Sequence, residues 1–315
     1  MPASALPDVS IVVPVYNACD RLEELLRSLE NALSDERFEV VLVNDGSTDD
    51  SWTEIERLTR DGRARGIDLM RNYGQHNALL AGIRAADGQI VVTIDDDLQN
   101  PPLEIPRLVA AVREGRDLVY GTPIEHQHGL WRNLGTWLTK RALAVVIGSD
   151  AARHASAFRA FRADLREAFG DFAGSYVSVD VLLSWGARSI HSIPVSHRPR
   201  EHGRSAYSFG RLATHALNVL TGFSTRPLRF ATLLGLATMM FGLVILVLVL
   251  VRYFVEGDRV PGFPMLASLV SIFSGVQLLT LGIMGEYLAR MHVRIMERPP
   301  YVVRRAASGS RPDQG

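Results

Sequence analysis

The sequence predicts an α/β fold: a mostly parallel sheet with helices on both faces, followed by interfacial helices and a two-helix transmembrane hairpin. Three observations carry this. Short β-rich apolar runs alternate with helical segments between Val9 and Ile94, the pattern of a parallel sheet covered on both sides. Each run ends in a cluster of polar residues. Two long uncharged stretches follow in the C-terminal third.

Taken in order, Val9–Val15 is an apolar run ending in Pro14-Val15-Tyr16-Asn17. Asp20–Leu33 repeats leucine at helical spacing, at Leu22, Leu25, Leu26, Leu29 and Leu33. Phe38–Val43 is a second strand, closed by Asn44-Asp45-Gly46-Ser47-Thr48-Asp49, and Ser51–Leu58 is a helix. Ile67–Met70 is a third strand, followed by Asn72-Tyr73-Gly74-Gln75-His76 and a helix over Asn77–Ala86. Ile90–Ile94 is the fourth strand, and it runs into Asp95-Asp96-Asp97. In such sheets ligands bind beyond the carboxyl ends of the strands. Tyr16 and Asn17, Asp45 and Asp49, Asn72, and Asp95–Gln99 should therefore share one crevice.

Three carboxylates at the end of an apolar strand are unfavourable without a cation. A divalent metal held by one or two carboxylates commonly carries a phosphate substrate as well. The competing reading is an acidic helix N-terminus, with the carboxylates capping the helix from Leu103 onward. Neither G-x-G-x-x-G nor G-x-x-x-x-G-K-[ST] occurs at these strand ends, so a dinucleotide or P-loop site is not supported. Asp45 suits a base or ribose and the acid run suits a diphosphate, which together indicate a nucleotide-sugar site.

Phe230–Val251 and Val260–Gly285 carry no charged residue. At about 1.5 Å per residue each reaches the ~30 Å of a bilayer core. Arg226 and Arg229 precede the first stretch, and Arg290, Arg294, Arg298, Arg304 and Arg305 follow the second. The link holds Arg252 and Arg259 beside Glu256 and Asp258. The positive-inside rule then puts the N-terminal domain and the C-terminal tail in the cytoplasm, beneath the inner (plasma) membrane. Tyr207, Phe209, Leu212, Leu217, Val219, Leu220 and Phe223 are mixed with Arg211, Thr214, His215 and Asn218. This is either an amphipathic interfacial segment or a helix packed on the soluble domain. The expected divisions are 1–204, 205–227, 228–252, 260–286 and 287–315. In the last, Pro299–Val303 reads as a short strand and Ala306–Gly315 as disordered.

The chain has 34 basic and 34 acidic residues, so there is no electrostatic footprint for nucleic acid. Cys19 is the only cysteine, which excludes an intramolecular disulfide. Met1–Asp8 lacks the basic patch and apolar core of a signal peptide. His76, His126, His128 and His202 have no metal-ligand spacing and read as structural or surface residues.

The segments VVPVYN (Val12–Asn17), NDGSTDDS (Asn44–Ser51), RNYGQHNALLAG (Arg71–Gly82), DDDLQNPPLEIPRL (Asp95–Leu108), YSFGRL (Tyr207–Leu212) and GEYLAR (Gly285–Arg290) give nearly the whole chain a resemblance. It resembles the family-2 glycosyltransferases of the GT-A, Rossmann-like fold, and within them the polyprenyl-phosphate glycosyltransferases, the group of dolichyl-phosphate mannose synthase. D-G-S and D-x-D are shared widely, whereas NYGQH, DLQNPP and the terminal hairpin are specific. The resemblance implies that Pro14, Tyr16, Val43 and Asp45 line the base and ribose, with Asp95 and Asp96 also touching the nucleotide. It implies Asp97, Gln99 and Asp95 as the holders of Mg²⁺ or Mn²⁺, Asp97 and Asp95 as the catalytic carboxylates, and Arg200 facing the donor diphosphate. Arg132, with Arg204 and Ser205, would meet the lipid phosphate. A homotetramer is among the assemblies it implies.

The chain also departs from that pattern. Ala18 stands where relatives have Glu, Pro123 where some have Arg, and Asp96 where Ala is common. The usual G-E-S-K-Y is Gly203-Arg204-Ser205-Ala206-Tyr207 here. The implied reaction is an inverting displacement on a nucleotide sugar, with UDP-sugar the expected donor and a polyprenyl phosphate such as undecaprenyl phosphate the acceptor. Its product would serve cell-envelope glycan or lipid modification. A bound metal would act there as Lewis acid and template. A lipid phosphate is already ionised near neutral pH, so no strong general base is required. Asp180 is the remaining candidate for a remote base, against a reading as a surface acid. The alternatives are a processive polysaccharide synthase, whose Q-x-x-R-W signature is absent, and an inactive scaffold, against which Asp95, Asp97 and Gln99 argue.

Overall fold

The computed structural model describes residues 6–123, 143, 144, 146, 148, 152, 154–174, 176–196, 218–256, 262–296 and 298–308. They fall into two units, one of residues 1–216 and 298–315, the other of residues 217–297.

Unit 1 is built on an eight-stranded sheet. Its strands are β1 (Val9–Val15), β2 (Phe38–Asn44), β3 (Arg65–Leu69), β4 (Ile90–Thr93), β5 (Leu118–Pro123), β6 (Arg159–Arg162), β7 (Ile190–Val195) and β8 (Val303–Ser308). The order is β8-β3-β2-β1-β4-β6-β5-β7. Pairing is parallel between β1 and β2, β2 and β3, β1 and β4, and β5 and β7. The antiparallel strands are β6, between β4 and β5, and β8, on the edge of β3.

Every residue of β1 is buried, as a central strand covered on both faces must be. On one side α1 (Leu22–Ala32) lays down Leu22, Leu25, Leu26 and Leu29, the i, i+3, i+4, i+7 stripe of the sequence. Burying each stabilises the fold by about 1.5–3 kcal/mol relative to exposure. On the other side α3 (Gln75–Ala85) rests on β1 and β2. A Cβ at Gly82 would lie 2.3 Å from Val12 Cγ1 and 3.0 Å from Val43 Cγ2, so only glycine permits this approach. The helices α2 (Ser51–Arg60), α4 (Ile105–Arg113) and α5 (Val179–Ser184) complete the layers.

Two boundaries differ from the expectation. Helix α3 begins two residues earlier than the apolar pattern suggests, because Gly74 adopts φ 93° and ψ 152° at its N-cap. That conformation is essentially glycine's alone, and it makes Gln75 the first helical residue. The C-terminal strand is not Pro299–Val303 but β8, Val303–Ser308. Ala306, Ala307 and Ser308, expected in a disordered tail, pair with Ile67, Gly66 and Arg65. The open edge of β3 offers backbone donors and acceptors that this segment satisfies.

Unit 2 contains α6 (Arg226–Glu256) and α7 (Gly262–Ile295). Within them Arg226–Val249 and Ile272–His292 are long and apolar enough to cross a membrane. Leu233, Leu243, Leu248, Leu278, Leu281 and Leu288 point outward and are more than half exposed. A contiguous apolar surface of this extent belongs against lipid rather than water. The two helices meet closely where Gly242 faces Phe273, with 2.7 Å between a Cβ at Gly242 and the ring. Small residues serve such helix contacts in membranes. Near the start of the unit, Asn218 Oδ1 accepts from Arg290 at 3.0 Å and the Ser224 carbonyl accepts from the Tyr287 hydroxyl. Of the expected interfacial segment, residues 218–223 are helical; residues 205–217 lie outside the described residues.

Candidate functional site

The chain runs from β1 outward to β2 and β3, then crosses back to place β4 on the other side of β1. This reversal opens a crevice at the carboxyl ends of the strands, where ligands of doubly wound sheets bind. The crevice holds about 260 Å³ and is lined by Pro14, Val15 and Tyr16 after β1, Asp45 after β2, Asn72, Gly74 and Gln75 after β3, and Asp95, Asp96 and Asp97 after β4. Tyr16, Asp45, Asn72 and Asp95–Asp97 thus converge as their positions in the sequence suggest, whereas Asn17 and Asp49, expected with them, are not lining residues: Asn17 bonds to the Ser47–Thr48 turn and Asp49 to Ser51.

The loops are tied to one another by side-chain hydrogen bonds. Asn17 has φ 52°, a left-handed conformation that asparagine tolerates. Its amide donates to Ser47 Oγ at 3.0 Å, and its Oδ1 accepts from Thr48 N at 2.8 Å. Asp45, 3% exposed, accepts from the backbone amides of Tyr73 at 2.7 Å and Gly74 at 2.8 Å. Burial pushes its carboxyl above the usual range, against the pull of those two amides. Asp45 therefore fixes the third loop in place as well as facing the crevice. Gly46, at φ 65°, lets the loops touch: a Cβ there would lie 2.4 Å from Arg71 C and Asn72 N. Gly46→Ala should lower stability by about 1–3 kcal/mol from the dihedral alone, with the backbone clash added. The check is the thermal midpoint of the purified chain with and without UDP; the ligand-induced shift should shrink as well.

The acid run is not a helix cap. The turn at Pro102–Glu104 and α4 show no side-chain cap bond at their N-termini. Each acid has its own setting instead. Asp95 Oδ1 accepts from Gln75 Nε2 at 2.6 Å. Asp96 Oδ2 accepts from the Tyr16 amide at 3.3 Å, and its Oδ1 lies 4.0 Å from Arg21. Asp97 Oδ1 accepts from the Gln99 amide at 3.2 Å. The next residue, Leu98, has φ 57°, a conformation that costs a branched side chain about 1–2 kcal/mol. Its side chain is packed against the core, so the strain turns Asp97 toward the crevice while the leucine anchors the loop. Asp96, a departure from the family pattern with no evident purpose in the sequence, joins the fourth loop to the first.

Hard oxygen donors from Asp95 and Asp97 in one open crevice fit a small divalent cation that completes its shell with water and phosphate. Among the described residues no group of three or more His, Cys, Asp or Glu forms a dedicated metal cage. Gln99 does not line the crevice; its backbone caps Asp97. Val43 is fully buried in β2, close to Gly82 of α3, and is also not a lining residue. Arg132, Arg200, Arg204 and Ser205 lie outside the described residues, as do His126, His128 and His202. His76 Nδ1 accepts from the Val179 amide at 3.4 Å, a bond between the starts of α3 and α5.

Asp180 is neither a surface acid nor an unengaged base. Its side chain is 13% exposed and pairs with Arg159 at 2.8 Å, while its Oδ1 also accepts from the Tyr120 hydroxyl at 3.0 Å. Burial and the neighbouring Asp180 hold the Tyr120 hydroxyl well above its ordinary value, so it stays a donor. Sequence reading also gave Gln75 no role of its own. The signal available was its place as the first polar residue after the third strand-end turn.

Comparison with known proteins agrees with this architecture. The family model described as Glycosyl transferase family 2 matches residues 10–169. An undecaprenyl-phosphate 4-deoxy-4-formamido-L-arabinose transferase from Pseudomonas syringae pv. syringae is 36% identical over 310 residues, covering 96% of this chain and 92% of that protein. The transferase of the same name from Pseudomonas aeruginosa is 39% identical over 305 residues, covering 94% and 89%. Among solved structures, glucosyl-3-phosphoglycerate synthase from Mycobacterium tuberculosis with Mn²⁺, UDP and glucosyl-3-phosphoglycerate aligns with a TM-score of 0.53 at 23% identity. It covers 68% of this chain and 78% of that one, a likeness of fold. The matching family model and the near full-length relatives place this chain in glycosyl transferase family 2.

Proposed function

We infer that this glycosyltransferase moves a sugar from a UDP-sugar to a polyprenyl phosphate of the undecaprenyl type, at the cytoplasmic face of the inner membrane. The observation that carries the reading is that Tyr16, Asp45, Asn72 and the acid run meet in one crevice at the strand-order reversal. The two apolar helices, and relatives named for an undecaprenyl-phosphate substrate, support the lipid acceptor. The hairpin leaves unit 1 and returns to it as β8, which supports an even number of crossings and agrees with the arginine bias of the flanks.

In this reading Pro14, Tyr16 and Asp45 bind the base and ribose, with Asn72 beside them. Asp97 and Asp95 would hold Mg²⁺ or Mn²⁺, with Gln99 fixing Asp97. When bound, the metal supplies charge neutralisation for the departing diphosphate. A phosphate oxygen of the lipid attacks the anomeric carbon, the bond from that carbon to the diphosphate oxygen breaks, and UDP leaves. The attacking oxygen is already anionic, so no residue need remove a proton from it. Asp180, engaged with Arg159 and Tyr120, fits this absence of a base.

The test is release of UDP by the purified full chain given UDP-sugars, Mn²⁺ and a short polyprenyl phosphate. UDP release that depends on both metal and lipid phosphate is expected, with one sugar per lipid in the product. Release that ignores the lipid phosphate, or a growing polymer, would overturn the reading.

A further inference from the structure

Asp68 is 1% exposed near the carboxyl end of β3, where a buried carboxylate needs compensation. It has two kinds. Oδ1 accepts from Asn44 Nδ2 at 2.8 Å. Oδ2 faces Arg305 at 3.3 Å and Arg304 at 3.9 Å, both on β8. The cations therefore come from the segment that follows the membrane hairpin. That segment is held at further points: Arg305 lies over the Trp52 ring at 5.2 Å, Arg84 over the Tyr301 ring at 5.7 Å, and the Met70 amide donates to the Val302 carbonyl at 2.9 Å.

Asn44 carries the arrangement to the crevice. A carboxylate only accepts, so the amide nitrogen of Asn44 must face Asp68 and its oxygen must face the other way. That oxygen accepts from the Ser47 amide at 3.2 Å. Asn44 thus closes the Asn44–Ser47 turn, which carries Asp45 into the crevice and presents Ser47 Oγ to the Asn17 amide. An unbroken series of bonds runs from β8 through Asp68 and Asn44 to two of the loops that line the site.

We propose that the segment after the membrane hairpin is a working part of the nucleotide site, with Arg305, seconded by Arg304, a positioning residue for the turn that bears Asp45. This rests on reading the crevice as the donor site. Loss of the cations leaves Asp68 competing for the Asn44 amide and for water, and the turn loosens without any lining residue being changed.

The experiment measures UDP affinity by calorimetry, with Mn²⁺, on the full chain in detergent, alongside its thermal midpoint. Arg304→Ala/Arg305→Ala should weaken UDP about fivefold or more, the range of ordinary coupling between sites. Arg305→Lys should restore part of the affinity. In an Asp68→Asn background the same double substitution should change UDP affinity by less than about twofold, because the charge that needs the cations is gone. A merely structural role would lower the midpoint while the folded protein kept its affinity, and that result overturns the proposal. Wild-type protein that binds no UDP would overturn the donor-site reading and this proposal together; equal binding by wild type and double variant would overturn the proposal alone.

Discussion

Asp97→Ala is expected to abolish sugar transfer, lowering the rate by about 10³-fold or more. Metal stabilisation of developing charge is worth several kcal/mol, and each ~1.4 kcal/mol is a factor of ten. The fold should survive, because Asp97 lines an open crevice outside the hydrophobic core, and its bond to the Gln99 amide at 3.2 Å is an interaction worth about 1 kcal/mol. Asp97→Asn separates the two roles. It keeps an oxygen for Gln99 and removes the negative charge, so it should be nearly as inactive as the alanine variant. A second readout is independent of turnover: Mn²⁺ with UDP should raise the thermal midpoint of the wild type, by linkage, and should fail to do so in either variant. Full activity in Asp97→Asn would mean that the loop, not the charge, is what the site needs.

The second large effect concerns stability. Asp180→Ala should destabilise unit 1 by about 3–5 kcal/mol, the usual cost of stranding a buried charge. Arg159 is 1% exposed and would be the stranded group, with Tyr120 losing its acceptor as well. Its Nε already lacks a partner among the described residues, so the guanidinium has little to fall back on. Such a loss is a large part of the 5–15 kcal/mol that holds a typical domain together. Replacing both members, Arg159→Met with Asp180→Leu, should recover most of it, because a buried pair is often no better than apolar side chains of similar size. The measurement is the thermal midpoint of each variant. An Asp180→Ala protein with a wild-type midpoint and no activity would instead return Asp180 to the chemistry.

These residues mark the boundary of what was legible beforehand. β1, β2, β4 and α1 follow from local patterns: apolar runs four to seven residues long and leucines at helical spacing. The crevice was legible for the same reason, since Tyr16, Asp45, Asn72 and Asp95–Asp97 sit at strand ends and a parallel sheet gathers such ends on one edge. What could not be read is partnership at a distance. Nothing near Asp180 names Arg159 or Tyr120. Nothing in Asp96 announces the Tyr16 amide, 80 positions away. The insertion of β6 antiparallel between β4 and β5 is settled by pairing alone. The start of α3 departs from the apolar pattern because periodicity does not register a glycine at φ 93°.

The late arrival of β8 has a consequence for how the protein is made. Arg305 meets Asp68 across 237 positions of sequence, so the edge of β3 stays open until both apolar helices have been synthesised. Long-range pairings of this kind form slowly and leave strand edges exposed in the meantime. Pairing of that edge is thereby deferred until β8 has emerged, and a chain interrupted within the hairpin leaves β3 without its antiparallel neighbour. A product that stops short of β8 would present an unpaired edge to chaperones and proteases, so formation of this edge waits on synthesis of the whole hairpin.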